Sequence, residues 1–279
     1  LVLGNLNWYK TYRWATRKMV GPNSERTLQG CIIPPNTMHT NGVISICFKN
    51  RESLLNFASI TSSIVLDFFV KVSGWKNLLP NSLENLPSGK GLIPKSYLVR
   101  VLRLNCLNSS FSDLWCESWD SEFLNVIWSK ADKRLSSFTE LGKEWNFNTP
   151  LRNEYERRWA LIEVDVISSI EMGLTLDDLI EIYRIQFPVL QQNEEDTWFD
   201  KFGNIVFTSS KSFIGVGIDR TVWETIRDIK DGETYEHTIE KSELYLGEKV
   251  TYYAPFEKCD RVEDYKLAWA HFEKIFNQK

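Results

Sequence analysis

A chain of 279 residues, 43% hydrophobic and 25% charged, can bury a core of its own, which excludes a disordered or fibrous polypeptide; no apolar run approaches the roughly 18 residues of a single-helix membrane span. Five cysteines without a C-x-x-C pair and three scattered histidines (His39, His237, His271) exclude a disulfide scaffold and a zinc motif, and lead us to expect reduced, buried thiols in a cytoplasmic protein. The net charge of −4 hides an asymmetry: residues 1–100 hold 12 Lys/Arg against 4 Asp/Glu, and residues 101–279 hold 21 against 33, a pattern expected when one part faces a polyanion.

Taken in order, Trp8-Tyr9-Lys10-Thr11-Tyr12-Arg13-Trp14 interleaves aromatics with cations. It reads as a strand with Trp8, Lys10, Tyr12 and Trp14 on one face. Leu28 to Ile33 reads as a strand ended by Pro34-Pro35, and Val43 to Phe48 as another after the Asn41-Gly42 turn. Apolar spacing predicts one helix over 51–72, closed by Gly74. Prolines and glycines between Leu79 and Gly91 mark a boundary. Helices are then expected over Pro94 to Asn108 and Asp120 to Lys130. The best-marked helix spans 150–172, with Thr149 as N-cap, Pro150 in the first turn and Gly173 as its stop. Thr175 and Asp178 form a capping-box pattern opening a second helix to about Phe187, which should fold back as an αα-hairpin. Its acidic residues Asp177, Asp178 and Glu181 argue against a phosphate-facing recognition helix. Gln191 to Asp196 reads as an acidic loop, Ile205-Val206-Phe207 as a strand, and Asp260 to Phe276 as a last helix. The expected fold is α+β: a small mixed sheet with a helix in a basic domain at 1–92, then a mainly helical, acidic part with short strands at 93–279.

Catalytic patterns are incomplete. Ile32-Ile33-Pro34-Pro35-Asn36 carries the proline pair of the Asn-Pro-Pro-Tyr loop that holds a flipped adenine. It lacks the carboxamide before the pair and the aromatic ring after it. Phe213-Ile214-Gly215-Val216-Gly217 matches the sparse F-x-G-x-G turn, with too little chain behind it for a doubly wound sheet. There is no P-loop, H-E-x-x-H or G-x-S-x-G. Glu163 and Asp165 should point to different sides of their helix, with no lysine nearby for a nuclease metal site.

Binding chemistry remains. Lys10, Arg13, Arg17, Lys18, Lys71 and Lys76 are the cations expected to hold phosphates, with Tyr12 beside them on the ribbon. Asn23, Ser24, Arg26 and Thr27, just after Gly21-Pro22, are residue types that contact base edges and phosphates; Arg26, Asn23 and Arg13 are the expected base readers.

The ordered set Asn23-x-Glu25-Arg26-Thr27-Leu28, Ile32-Ile33-Pro34-Pro35, Leu66-Asp67-Phe68-Phe69-Val70-Lys71, Leu102-Arg103-Leu104-Asn105-Cys106-Leu107 and the run from Tyr155 to Asp165 continues through Leu174-Thr175-Leu176, Ile182 to Pro188 and Ala254 to Phe272. It resembles the C-terminal region of bacterial type IIG-like, class I S-adenosylmethionine-dependent, adenine-specific DNA methyltransferases of restriction–modification systems, over most of the chain. The resemblance implies a target recognition domain followed by a helical part. It also implies an upstream Rossmann-like core that binds S-adenosylmethionine, while this segment binds no cofactor. Double-stranded DNA, that methyltransferase core and a nuclease subunit or domain are the implied partners, with no membrane. Arg26 and Thr27 fall in the recognition segment by the same likeness. Since the chain starts at Leu1 without a signal-peptide layout, it is expected to be a non-catalytic piece of a longer protein. Two alternatives stand beside this reading. The acidic, aromatic-rich residues 101–279 would suit a scaffold that docks a methyltransferase core, nuclease or helicase subunit, and a free-standing nuclease is the weaker third.

Overall fold

The computed structural model describes residues 7–21, 23–87, 94–210 and 213–277. The fold is α+β, as expected. β1 (Arg13–Arg17) is the centre of an antiparallel sheet of order β2-β1-β3, flanked by β2 (Gly30–Ile33) and β3 (Val43–Cys47). Both faces of β1 are covered, so Arg13, Trp14, Ala15 and Thr16 are all buried. The expected ribbon over Trp8–Trp14 is shorter than its sequence pattern. Trp8–Lys10 is a turn of 3-10 helix, because the Thr11 hydroxyl donates to the Trp8 carbonyl at 2.9 Å and curls the chain before the strand begins.

The predicted helix over 51–72 is two helices, α1 (Arg51–Ser62) and α2 (Ile64–Val72), bent by 71° at Ser63. Thr61, Ser62 and Ser63 each return a hydroxyl to a carbonyl of the preceding turn at 2.7 Å, which competes with the helix ladder. Ser63 then caps α2, accepting from the Leu66 amide. α3 (Pro80–Glu84) and α4 (Val99–Asn105) follow, the latter after a 3-10 turn at Lys95–Leu98, then α5 (Ser112–Ser118). In place of a helix over Asp120–Lys130 there is one 3-10 turn, Ser121–Asn125. Beyond it the Ser129 amide is drawn away to the Glu163 carboxylate at 2.6 Å.

α6 (Glu154–Met172) begins at an Asn153 cap rather than at Thr149, whose hydroxyl accepts from the Asn146 amide instead. Gly173 ends α6 at φ 80, the left-handed conformation that favours glycine. α7 (Leu176–Gln186) opens on the Thr175–Asp178 capping box and packs back on α6. The expected acidic loop is instead α8 (Pro188–Glu195), because Glu194 is drawn inward by Arg158 and Arg261. β4 (Trp198–Phe199), β5 (Ile205–Phe207), α9 (Arg220–Ile226), the β6 (Thr234–Thr238)–β7 (Lys249–Tyr253) ribbon, β8 (Glu257–Lys258) and α10 (Arg261–Asn277) complete the chain. β8 joins β4 and β5 in a second small sheet of order β5-β4-β8.

One apolar core joins Trp14, Leu54 and Val70 to Leu102, Trp115 and Val164. The boundary expected near residue 92, which itself lies outside the described residues, therefore does not separate two cores. A second cluster packs α2, α6, α7 and α10 through Ile64, Ile162, Leu179 and Phe272. A third surrounds Trp223. Cys47 and Cys106 are buried as expected, but Cys31 is exposed. Among the described residues no single helix is long and apolar enough to cross a membrane.

Two outcomes follow from this packing. A Cβ on Gly30 would lie 2.4 Å from the indole of Trp14, itself fixed edge-on against Phe57 at 5.0 Å. Gly30→Ala should therefore lower the urea midpoint at unchanged m, by on the order of 1–3 kcal/mol in stability. Burial would raise the Glu194 carboxyl, but Arg261 and Arg158 outweigh it and hold it down to about 2, from an ordinary 4.5. The folded value lies below the unfolded one, so this stabilisation is complete above pH 4.5 and is lost as the pH falls toward 2. Urea midpoints of wild type should drop across that window, and Glu194→Gln should flatten the drop.

Candidate nucleic-acid interface

The two ends of β1 present lysines to solvent. At its N-terminal end a cleft of about 560 Å³ opens between the sheet, α1 and α5, with Lys10, Lys49, Pro35 and Phe48 among its walls and Leu54 below. Asp113 and Glu117 line it from α5, and Glu117 pairs with Arg51. At the other end Lys18 and Lys76 are brought together by main-chain bonds. The Leu78 amide donates to the Lys18 carbonyl at 2.7 Å and the Val20 amide to the Lys76 carbonyl at 3.2 Å. Lys18 Nζ donates to Asn41 Oδ1 at 3.1 Å.

Of the residues singled out from sequence, Lys10, Asn23 and Lys76 are exposed and Lys18 is half-buried. None of these three lysines meets a carboxylate among the described residues. The same holds for Lys49, which sequence reasoning missed. Its position just beyond the end of β3, before the Asn50 cap of α1, was the signal available.

The others are engaged by the fold. Arg13 is buried, donating to the Thr37 carbonyl and to Ser45 Oγ at 3.2 Å, with Trp8 stacked 4.8 Å away. Burial pushes its guanidinium down. A base-reading arginine must reach solvent, so this corrects its expected role. Tyr12 is half-buried; its hydroxyl donates to the Ser110 carbonyl at 2.9 Å and accepts from the Leu114 amide, which ties α5 to the sheet. Arg17 lies over the turn, with Nη2 3.2 Å from Ser24 Oγ, and Ser24 Oγ is 2.7 Å from the Gly21 and Arg26 carbonyls. Lys71 donates to the Gln186 carbonyl and sits over the Phe187 ring at 5.1 Å, far from any free cation's role.

Arg26 and Thr27 form a clamp on α2. Arg26 Nε meets Asp67 Oδ2 at 2.6 Å and Nη2 donates to the Ser62 carbonyl at 2.8 Å. The Thr27 and Leu28 amides donate to Asp67 Oδ1 at 3.0 and 2.8 Å. Thr27 and Asp67 are fully enclosed. Arg26, expected as a base reader, and Thr27, expected among the DNA contacts of the recognition segment, are instead groups that fix the loop on which Asn23 stands.

Among the described residues no group of three His, Cys, Asp or Glu could hold a metal. Glu163 and Asp165 do face different sides: Glu163 takes Arg100 and Ser129, while Asp165 takes the Ile64 amide, Arg261 and Tyr265. Phe213–Gly217 is a compact turn closed by the Gly217 amide on the Phe213 carbonyl at 2.8 Å, with Gly215 at φ 84. No family model, no curated protein and no solved structure matches the chain.

Arg26→Ala would leave the enclosed Asp67 carboxylate with amide donors alone. It should cost about 2–3 kcal/mol in stability, whereas Lys76→Ala should leave the melting temperature unchanged. Thermal melts of the two variants side by side check this; equal melting temperatures would remove the clamp from Arg26.

Proposed function

We propose that this chain is the non-catalytic DNA-recognition part of a restriction–modification adenine methyltransferase. In this reading it positions duplex DNA for an upstream core that binds S-adenosylmethionine and performs the transfer. The observation that supports it is the grouping of unpaired lysines at the two ends of one strand. Lys10, Lys18, Lys49 and Lys76, at the two ends of β1, form no ion pair among the described residues. In the C-terminal part Lys201, Lys241, Lys249 and Lys266 pair with Asp231, Asp219, Glu236 and Glu263, while Lys133, Lys143, Lys230, Lys258 and Lys274 are exposed without an ion pair among the described residues, each on a different segment. Unneutralised lysines at both ends of one strand are suited to a partner that brings its own negative charge.

On this reading the lysines meet phosphates and set register, and Asn23, exposed on its clamped turn, meets a base edge. Arg17, Ser24, Arg26 and Thr27 hold that turn in place. The acidic remainder serves as support and keeps the DNA to the basic side.

Affinity for duplex DNA measured across a salt series tests the proposal. Four phosphate contacts predict a log–log slope of about −3.6, and Lys10→Ala with Lys49→Ala should bring it to about −1.8. Absence of binding at low salt, or a slope untouched by the double substitution, rejects the reading.

A further inference from the structure

The segment joining β6 to β7 holds three consecutive large apolar side chains in solvent. Leu244 is 84% exposed, Tyr245 48% and Leu246 68%. Ile214, 77% exposed, stands on the neighbouring turn, where a Cβ on Gly215 would lie 3.2 Å from the Lys241 carbonyl. Connections of this kind are ordinarily built from glycine, asparagine, aspartate, serine and proline, and a run of exposed apolar groups marks a contact surface.

The tip has a built shape. The Gly247 amide donates to the Ile239 carbonyl at 2.8 Å, the Ile239 amide to Glu248 at 2.9 Å and the Glu248 amide to Tyr245 at 3.0 Å. Gly247 takes φ 82, and Lys241 pairs with Asp219 at 2.6 Å. Below the tip, His237 Nε2 lies 3.0 Å from the Val216 carbonyl, and Tyr235, Val250 and Tyr252 anchor the ribbon on the Trp223 cluster. A surface fixed before contact loses little freedom on binding.

Charge identifies the kind of partner. Glu240, Glu243 and Glu248 are exposed around the tip and form no ion pair among the described residues. A carboxylate fringe repels phosphates, so nucleic acid is a poor occupant. An apolar knob with an anionic fringe complements a socket that is apolar inside and basic at its rim. We infer that the β6–β7 tip is a docking knob for a protein partner with such a socket. Leu244 and Leu246 enter it, and the three glutamates meet lysines and arginines at its rim. The inference rests on the tip alone and does not need the DNA reading.

A photo-crosslinking residue at position 244 of the full chain, expressed in its own host, tests it. The expected result is one covalent adduct whose crosslinked peptide is flanked by Lys or Arg. Leu246→Ser and Glu243→Lys should each lower its yield at least tenfold, and exchanging the partner's rim cation for glutamate should restore the yield with Glu243→Lys. The Leu244→Ser, Leu246→Ser double variant should keep the wild-type melting temperature. No adduct, adducts only between copies of this chain or to nucleic acid, a yield indifferent to Glu243→Lys, or a lowered melting temperature in the double variant would each overturn the inference.

Discussion

Two carboxylates with no exposed surface, Asp67 and Asp165, hold the bend at Ser63, and the arrangement of both halves depends on that bend. Breaking the helix between α1 and α2 frees main-chain amides inside an apolar region, where an unmet donor costs about 1–3 kcal/mol. Asp165, reaching from α6, takes the Ile64 amide, and Asp67, just inside α2, turns outward to Thr27, Leu28 and Arg26. Each carboxylate then requires a cation. Arg261 answers Asp165 and also holds Glu194, which Arg158 shares before continuing to Asp264. Alternating charge thus runs from the N-terminal loop through α2 and α6 to α8 and α10. Such a network stabilises only when every member is met, since a buried ion without its partner is worse than an apolar side chain.

The division of labour between arginine and lysine follows from the same chemistry. Arg13, Arg100, Arg103 and Arg261 are buried and Arg26 is half-buried, while the lysines at the ends of β1 reach solvent. A guanidinium is planar, weakly hydrated and able to satisfy several acceptors at once, so it survives enclosure. Arg100 is an example, meeting Glu163 and the Ile127 carbonyl among the rings of Tyr97, Trp128, Phe138 and Phe272. An ammonium is better left in water. Counting both as surface charge therefore overstates the basic face of the first hundred residues.

Features governed by neighbouring residues were legible in the sequence. The Thr175–Asp178 box, the stop at Gly173, β2 ended by its prolines and β3 after Asn41-Gly42 need only a few consecutive residues, and each formed. What escaped was set by distant partners. α8 forms where a loop was expected because Arg158 and Arg261, far off in sequence, neutralise Glu194. Arg13 and Arg26 look like ligand-binding cations until Thr37 and Asp67 are folded against them. In the candidate interface Lys10, Lys18, Asn23 and Lys76 were readable as polar residues near turns, and Lys49 was hidden behind a run that read as strand.

The shared core bears on how such a segment could be exchanged between proteins. Polar links cross from the sheet region into the helical part: Asn105 Oδ1 takes the Ile32 amide at 2.9 Å, the Tyr12 hydroxyl donates to the Ser110 carbonyl and accepts from the Leu114 amide, and Asn193 Nδ2 reaches Glu25 at 2.8 Å. A chimera that transplanted the first ninety residues would need matching groups at those receiving positions, as well as at Asp165, Glu117 and Gln186. Replacing only Asn23 itself and the turns that carry Asn41 and Lys76 would leave every one of those seams intact. Variation in what the rim contacts can therefore arise loop by loop while the frame is inherited whole.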